Sequence, residues 1–185
     1  MDGCAPCRAK ILQSAGPRCA ANGRPESCPR FKHFDRAPGR RHRIGLYSSK
    51  QSILTVGDGD LSFSLALARA LGGGRLVATS YETHDSLLRI YGPGMQDVIS
   101  ELQKSGARVG YGVDAAALPT SLPSGWLPKG GFDRVVWNFP CAIDNNARSG
   151  GDGRVGSAQE LECNRRLLSR FFLSASSLLS PEGGE

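Results

Sequence analysis

The stretch "ILTVGDGDLSFSLALARALGGG", Ile53 to Gly74, changes its periodicity twice. Ile53–Val56 is apolar and β-branched, Gly57-Asp58-Gly59-Asp60 is a turn sequence, and apolar residues then recur at Phe63, Leu65, Leu67 and Leu71. That order predicts a strand, a tight loop and a helix over Ser62–Leu71 stopped at Gly72. The glycines allow a ligand to approach the backbone closely, and the two acids decide what charge that ligand can carry.

Working outward, the pattern stays orderly. Leu76–Tyr81 reads as a second strand, Met95–Ser105 as a helix ended by Gly106, Ala107–Val113 as a third strand and Phe132–Trp137 as a fourth. Strands alternating with helices predict an α/β fold with a mostly parallel sheet. Ser157 and Glu160 have capping-box spacing ahead of a long helix that would pack Leu161, Leu168, Phe171, Ala175 and Leu178 on the sheet. The proline-bearing segment Ala115–Gly131 reads as structural. The glycine-rich segment Ala142–Gly156, with Arg148 and Arg154, reads either as a mobile loop that closes on RNA or as a tolerated insertion.

Charge divides the chain differently. Residues 1–50 hold eleven Lys/Arg against Asp2, Glu26 and Asp35, a balance of +8, which leaves −2 for residues 51–185 out of a total of +6. The basic part, with "RAPGRRHR" at Arg36–Arg43, lacks apolar periodicity and is expected to be a disordered tail over residues 1–46, ahead of a folded domain over 47–185. Such an arm suits a polyanion or a nuclear address. No apolar h-region follows Met1 and no window is apolar enough to span a membrane. Cys4, Cys7, Cys19 and Cys28 are spaced C-x2-C-x11-C-x8-C, whose second half lacks a short knuckle. Reduced thiols and no metal are therefore expected, with a zinc site on these four as the alternative.

In an open parallel sheet, ligands lie beyond the carboxyl ends of the strands. Those ends carry Gly57-Asp58-Gly59-Asp60, Ser80-Tyr81-Glu82, Asp114 and Asn138-Phe139-Pro140. An acid after the second strand, Glu82, suits ribose hydroxyls, which points to an adenosine ligand. A dinucleotide loop would read G-x-G-x-x-G, but Ser62 stands at the third glycine and two acids oppose phosphate. S-adenosylmethionine, with a cationic sulfonium and amino group, fits better. An α/β domain with turn glycines and solvated acids is the plain alternative.

The blocks "ILTVGDGDLSFSLALA", "ATSYE", "GVDA", "FDRVVWNFP" and "NRRLLSRFFLSASSLLSPEGGE" resemble the Rossmann-like methyltransferase domain of the large-subunit ribosomal RNA uridine-N3 methyltransferases, over about residues 47–185. "YSSKQ", Tyr47–Gln51, is similar to the lead-in of plant-type members. The resemblance implies a class I fold, S-adenosylmethionine as cofactor, an rRNA base as substrate and a nucleolar setting in ribosome biogenesis, with the cytoplasm as the alternative. It further implies that Gly57, Asp58 and Gly59 line the methionine part, with Asp60 beside them. Glu82 would take the ribose, Asp114 the adenine edge, and Asn138, Phe139 and Pro140 the target base; Ser80 and Tyr81 count with the cofactor site, Tyr81 either packing on the cofactor or capping the sheet. Two departures stand out. Cys141 occupies the place of the family histidine after Asn-Phe-Pro, and the chain ends at "PEGGE" where a fifth strand is expected, so the domain reads as C-terminally incomplete. Asn138 is the expected substrate-orienting residue. An S-adenosylmethionine enzyme acting on a small molecule and a non-catalytic RNA-binding remnant remain the alternatives.

Overall fold

The computed structural model describes residues 42–138, 140 and 158–181. A short antiparallel hairpin, β1 (Arg43–Ile44) and β2 (Tyr47–Ser48), leads into β3 (Ile53–Thr55), α1 (Ser62–Leu71), β4 (Leu76–Thr79), α2 (His84–Tyr91), α3 (Gly94–Lys104) and β5 (Arg108–Gly110). A 3-10 turn (Ala115–Ala117) and the short α4 (Leu118–Ser121) then precede β6 (Arg134–Val136) and α5 (Ala158–Ser176). β3 to β6 form one parallel sheet in the order β5-β4-β3-β6. The expected α/β class is thus present: a four-stranded parallel sheet flanked by helices, as in Rossmann-like methyltransferases.

The chain builds outward from β3 through β4 to β5, then returns to the other side of β3 as β6. Strand order therefore reverses between β3 and β6, and the carboxyl ends at such a switch point are where open α/β sheets bind ligands. Both faces of the sheet are covered, which explains why its strands read as apolar runs rather than alternations. On one face Ile53, Leu76 and Ala78 pack with Leu65, Leu67 and Leu71 of α1 and Ile99 and Leu102 of α3. On the other, Leu54, Val56 and Val77 pack with Leu118, Phe132, Phe171, Ala175 and Leu178. Each fully buried Leu or Phe contributes about 1.5–3 kcal/mol.

β6 enters the sheet through a bulge. Asp133 and Arg134 both donate their N–H to the Ser52 carbonyl, at 2.9 and 3.2 Å, while the Asp133 carboxylate accepts the Ser52 N–H at 2.6 Å. Just before it, buried Phe132 forms a parallel bridge with Leu179, donating to the Leu178 carbonyl and accepting from the Ser180 N–H, both at 2.8 Å.

Several expectations need correction. The strands are shorter than their apolar runs: beyond Thr79, Ser80 and Glu82 are held by loop hydrogen bonds, with Ser80 N–H on the Gly110 carbonyl and Gly112 N–H on the Glu82 carbonyl. α2 was not anticipated, because it buries only Leu87 and its start is fixed by a cap, Thr83 Oγ1 accepting the Ser86 N–H, rather than by periodicity. The segment expected to be a structural loop, Ala115–Gly131, contains α4. That helix is fastened to α5 by the Leu118 N–H donating to Ser174 Oγ at 2.7 Å.

On α5, Phe171 and Ala175 are buried as expected, as is Leu178 just beyond its end, but Leu161 is 63% exposed. A 19-residue helix is about 28 Å long, far longer than strands of three or four residues, so its first turns overhang the sheet. The proposed capping pair Ser157 and Glu160, and the segment Ala142–Gly156, lie outside the residues whose side chains are described.

A candidate ligand crevice at the carboxyl ends of the strands

Two left-handed residues bracket the acidic turn, Gly57 at φ 59° and Leu61 at φ 55°. The first is the glycine that such a conformation favours. The second is not, and costs about 1–2 kcal/mol. Complete burial of the Leu61 side chain offsets this with about 1.5–3 kcal/mol. The turn closes with the Leu61 N–H on the Asp58 carbonyl at 3.1 Å, and it is tied to β4 by the Asp58 N–H on the Thr79 carbonyl, also 3.1 Å.

The acids of this turn are turned onto the start of α1. Asp60 Oδ1 accepts the Ser62 N–H at 3.0 Å, and Asp58 Oδ2 accepts the Ser64 N–H at 2.7 Å and the Ser64 hydroxyl at 2.5 Å, with the Phe63 N–H adding to the same carboxylate. The first-turn amides, which would cradle a pyrophosphate in a dinucleotide site, are therefore already satisfied by carboxylates. Burial holds the Asp58 carboxyl above its ordinary range. The bonds from Ser64 oppose that rise and the neighbouring Asp60 charge adds to it.

A residue that the sequence did not bring forward unites the acids. The Tyr91 hydroxyl, at the end of α2, is pushed up to about 12 by burial and then by the charges of Asp60, Glu82 and Asp58. Three expected site acids thus share one electrostatic neighbourhood around a neutral phenol. Recognising "THDSLLRIYG" as a Thr-capped, Gly-stopped helix would have put Tyr91 there.

The remaining expected residues lie on either side of this group. Ser80 is buried, and its hydroxyl accepts the Glu82 N–H at 3.2 Å, so it shapes the turn that carries Glu82. Tyr81 and Glu82 are half-exposed, and Gly59 is half-exposed within the acidic turn. Asp114 Oδ1 caps the 3-10 turn by accepting the Ala116 N–H at 2.8 Å. His84 and Tyr111 meet edge to face, centroids 5.3 Å apart, beyond β4 and β5.

At the end of β6, Trp137 stacks edge to face on Phe171, centroids 4.9 Å apart. Its indole also covers Gly57: a Cβ there would lie 2.7 Å from Trp137 Nε1. The close approach that Gly57 permits is therefore to Trp137, the last residue of the run that the sequence reads as the fourth strand. Asn138 is exposed and Pro140 half-buried. Pro140 joins Tyr47, Trp137 and Phe172 in lining a groove of about 380 Å³ along the outer edge of β6. Phe139, Cys141, Cys4, Cys7, Cys19 and Cys28 lie outside the described residues.

Among the described residues no group of His, Cys, Asp or Glu is arranged to hold a metal ion, and no helix is long and apolar enough to cross a membrane. The donor set, carboxylates and a phenol around an N-terminus whose amides are used, fits a ligand with cationic groups and hydroxyls and does not fit a phosphate.

Known proteins resemble the chain over this same region. It is 36% identical over 138 residues to heavy metal-associated isoprenylated plant protein 41 of Arabidopsis thaliana, covering 74% of this chain and 25% of that one. It is 33% identical over 141 residues to an uncharacterised Arabidopsis thaliana protein, covering 76% of this chain and 63% of the relative. A mouse protein, the ferredoxin-fold anticodon-binding domain-containing protein 1 homolog, is 29% identical over 131 residues, covering 71% of this chain and 18% of its own length. The chain thus spans a quarter and just under two thirds of the two plant relatives. No solved structure matches it. Residues 54–184 match the family described as rRNA (uridine-N3-)-methyltransferase BTM5-like, and over that span, from the second residue of β3 to beyond α5, the chain belongs to the BMT5-like family.

Proposed function

We propose that the chain is an S-adenosylmethionine-dependent methyltransferase that modifies N3 of a uridine in large-subunit rRNA. The observation that carries this reading is the acid-capped N-terminus of α1 in the switch-point crevice. Asp58 and Asp60 occupy the amides a phosphate would need, and together with Glu82 they make a field that draws in cations. A family of rRNA methyltransferases supplies the reaction class.

In this reading Asp60 and Glu82 face the ligand's amino group and ribose, Tyr91 donates a neutral hydrogen bond among them, and the free oxygen of Asp114 receives from the adenine edge. Bound there, the cofactor would supply an electrophilic methyl group for uracil N3, whose proton would pass to solvent. Asn138, exposed at the end of β6, orients the uracil through its amide, and Pro140 borders the same place. Phe139 and Cys141 belong to this substrate end by sequence. The basic residues 1–50 assist contact with RNA and address the protein to the nucleolus.

Calorimetry tests the cofactor half: S-adenosylhomocysteine should bind and NADH should not, and the reverse result overturns the assignment. Transfer of labelled methyl to an rRNA fragment, with the same fragment lacking the target uridine as control, tests the substrate half. Labelling of both fragments alike, or of neither, refutes a uridine target.

A further inference from the structure

The buried polar residues beneath the acidic turn form a single chain of hydrogen bonds. Thr79 Oγ1 donates to the Thr55 carbonyl at 2.7 Å, linking β4 to β3. Ser64 has one hydroxyl proton, and its 2.5 Å bond to Asp58 Oδ2 uses it. The 2.7 Å contact between Thr55 Oγ1 and Ser64 Oγ is then donated by Thr55. Thr55, Ser64 and Thr79 are each at most 1% exposed, so no water substitutes for a missing partner. The run ends on the carboxylate of Asp58, which also receives the Ser64 N–H.

A fully buried serine in the first turn of α1 and a fully buried threonine in a central strand are poor choices for packing alone. Apolar residues would fill both places without the cost of burying hydroxyls. Their joint effect is to carry a hydrogen bond from the sheet to one oxygen of one acid. Burial raises the proton affinity of that acid, Asp60 raises it further, and the Ser64 hydroxyl is foremost among the groups opposing them. The groups facing Asp58 from its surroundings are Asp60 in the turn, Tyr91 from α2, and the Ser64 and Phe63 amides from α1; Glu82 meets the same phenol.

We propose that Ser64, anchored by Thr55, is the positioning residue of the ligand crevice: its hydroxyl keeps the Asp58 carboxylate ionised where the Ser64 amide holds it, so that the field a cationic ligand meets persists into mildly acidic solution. The inference deepens the functional reading above and rests on it for the ligand, but not for the state of Asp58.

Two measurements on the whole chain test it. In the first, the Asp58 carboxyl is titrated by NMR without ligand, in wild type and in Ser64→Ala. Loss of a hydrogen bond to the charged carboxylate should raise the Asp58 midpoint by at least about one pH unit. Thr55→Val, which frees the Ser64 hydroxyl from its anchor, should move it the same way by less. An unchanged midpoint in Ser64→Ala overturns the proposal.

In the second, S-adenosylhomocysteine affinity is measured from mildly acidic to mildly alkaline pH. Ser64→Ala should lose affinity at a higher pH than wild type while matching it within about threefold at the alkaline end. Asp58→Asn in the Ser64→Ala background should remove that difference in pH dependence. Equal weakening at every pH would mean that Ser64 is merely structural. If the wild type binds no S-adenosylhomocysteine, the functional reading falls, and the ligand-free titration still decides the role of Ser64.

Discussion

Gly57→Ala places a methyl group where the loops leaving β3 and β6 touch, and its cost can be worked from two sources. The residue sits at φ 59°, which costs an L-residue about 1–2 kcal/mol. Its new Cβ would lie 2.7 Å from Trp137 Nε1, closer than any stable contact, and that neighbour is a rigid ring braced on Phe171 rather than a flexible tip. Overpacking of this kind costs about 1–3 kcal/mol, so the expected loss is about 2–5 kcal/mol. Urea unfolding followed by far-UV circular dichroism reads it, provided the slope is unchanged. Trp137→Ala removes the overlapping ring. In that background Gly57→Ala should cost only the backbone part, about 1–2 kcal/mol, giving a coupling of about 1–3 kcal/mol. Costs that simply add in the double variant would show that the indole does not cover Gly57.

Other outcomes follow from the same geometry. Because the Asp58 carboxyl is raised in the folded state, its contribution to stability is full below the ordinary carboxylate range and is lost as pH rises through the raised value. Asp58→Asn, which keeps an acceptor for Ser64, should therefore gain on wild type as pH rises from 3.5 to about 7, and thermal melts across that window would refute the sign if the gap closed instead. Glu101 is lowered, mainly by its hydrogen bonds to Arg69 at 2.6 and 2.7 Å, so its contribution is present at neutral pH and fades as pH falls below the ordinary range. The pair is partly exposed, and Glu101→Gln should cost only about 0.5 kcal/mol at neutral pH, less in high salt. Asn138→Ala should lower methyl transfer roughly 100-fold while S-adenosylhomocysteine affinity stays within about threefold; wild-type transfer would move the substrate end elsewhere. Glu82→Ala should weaken S-adenosylhomocysteine by about 10-fold through lost hydrogen bonds, as read by calorimetry.

The sheet was legible because its strands are buried on both faces and its main helices carry apolar stripes at 3.6-residue spacing. Strand ends were less so: apolar character continues through Val56 and Val113 after the ladder stops, since those side chains still pack on the core. α2 escaped because a helix that buries one leucine has almost no hydrophobic period, and Tyr91 escaped with it. The acids of the site could be chosen from charge alone, but not their orientation. Nothing in "GDGD" says that both carboxylates turn back onto α1, because that depends on Leu61 accepting a left-handed backbone and on a hydroxyl at Ser64.

That orientation changes how the glycine loop is understood. A loop of this form between a strand and a helix normally offers amide protons, and its ligand is then an anion. Here the same amides are held by side chains from the loop itself, so what is left for a ligand is the remaining negative charge of Asp58 and Asp60, joined by that of Glu82 at the same Tyr91 phenol. The fold and the loop geometry are thus kept while the sign of the site is inverted. The inversion is local: residues 51–185 carry only −2 in total, and the acids responsible lie within a few residues of two strand ends. A selective field of this kind needs the carboxylates to be fixed, since mobile acids at a surface are screened within about 8–10 Å by salt. Asp60 is held by the Ser62 amide, and Asp58 by the Ser64 amide and by the buried Ser64 hydroxyl that contacts Thr55, residues that neither periodicity nor charge would single out.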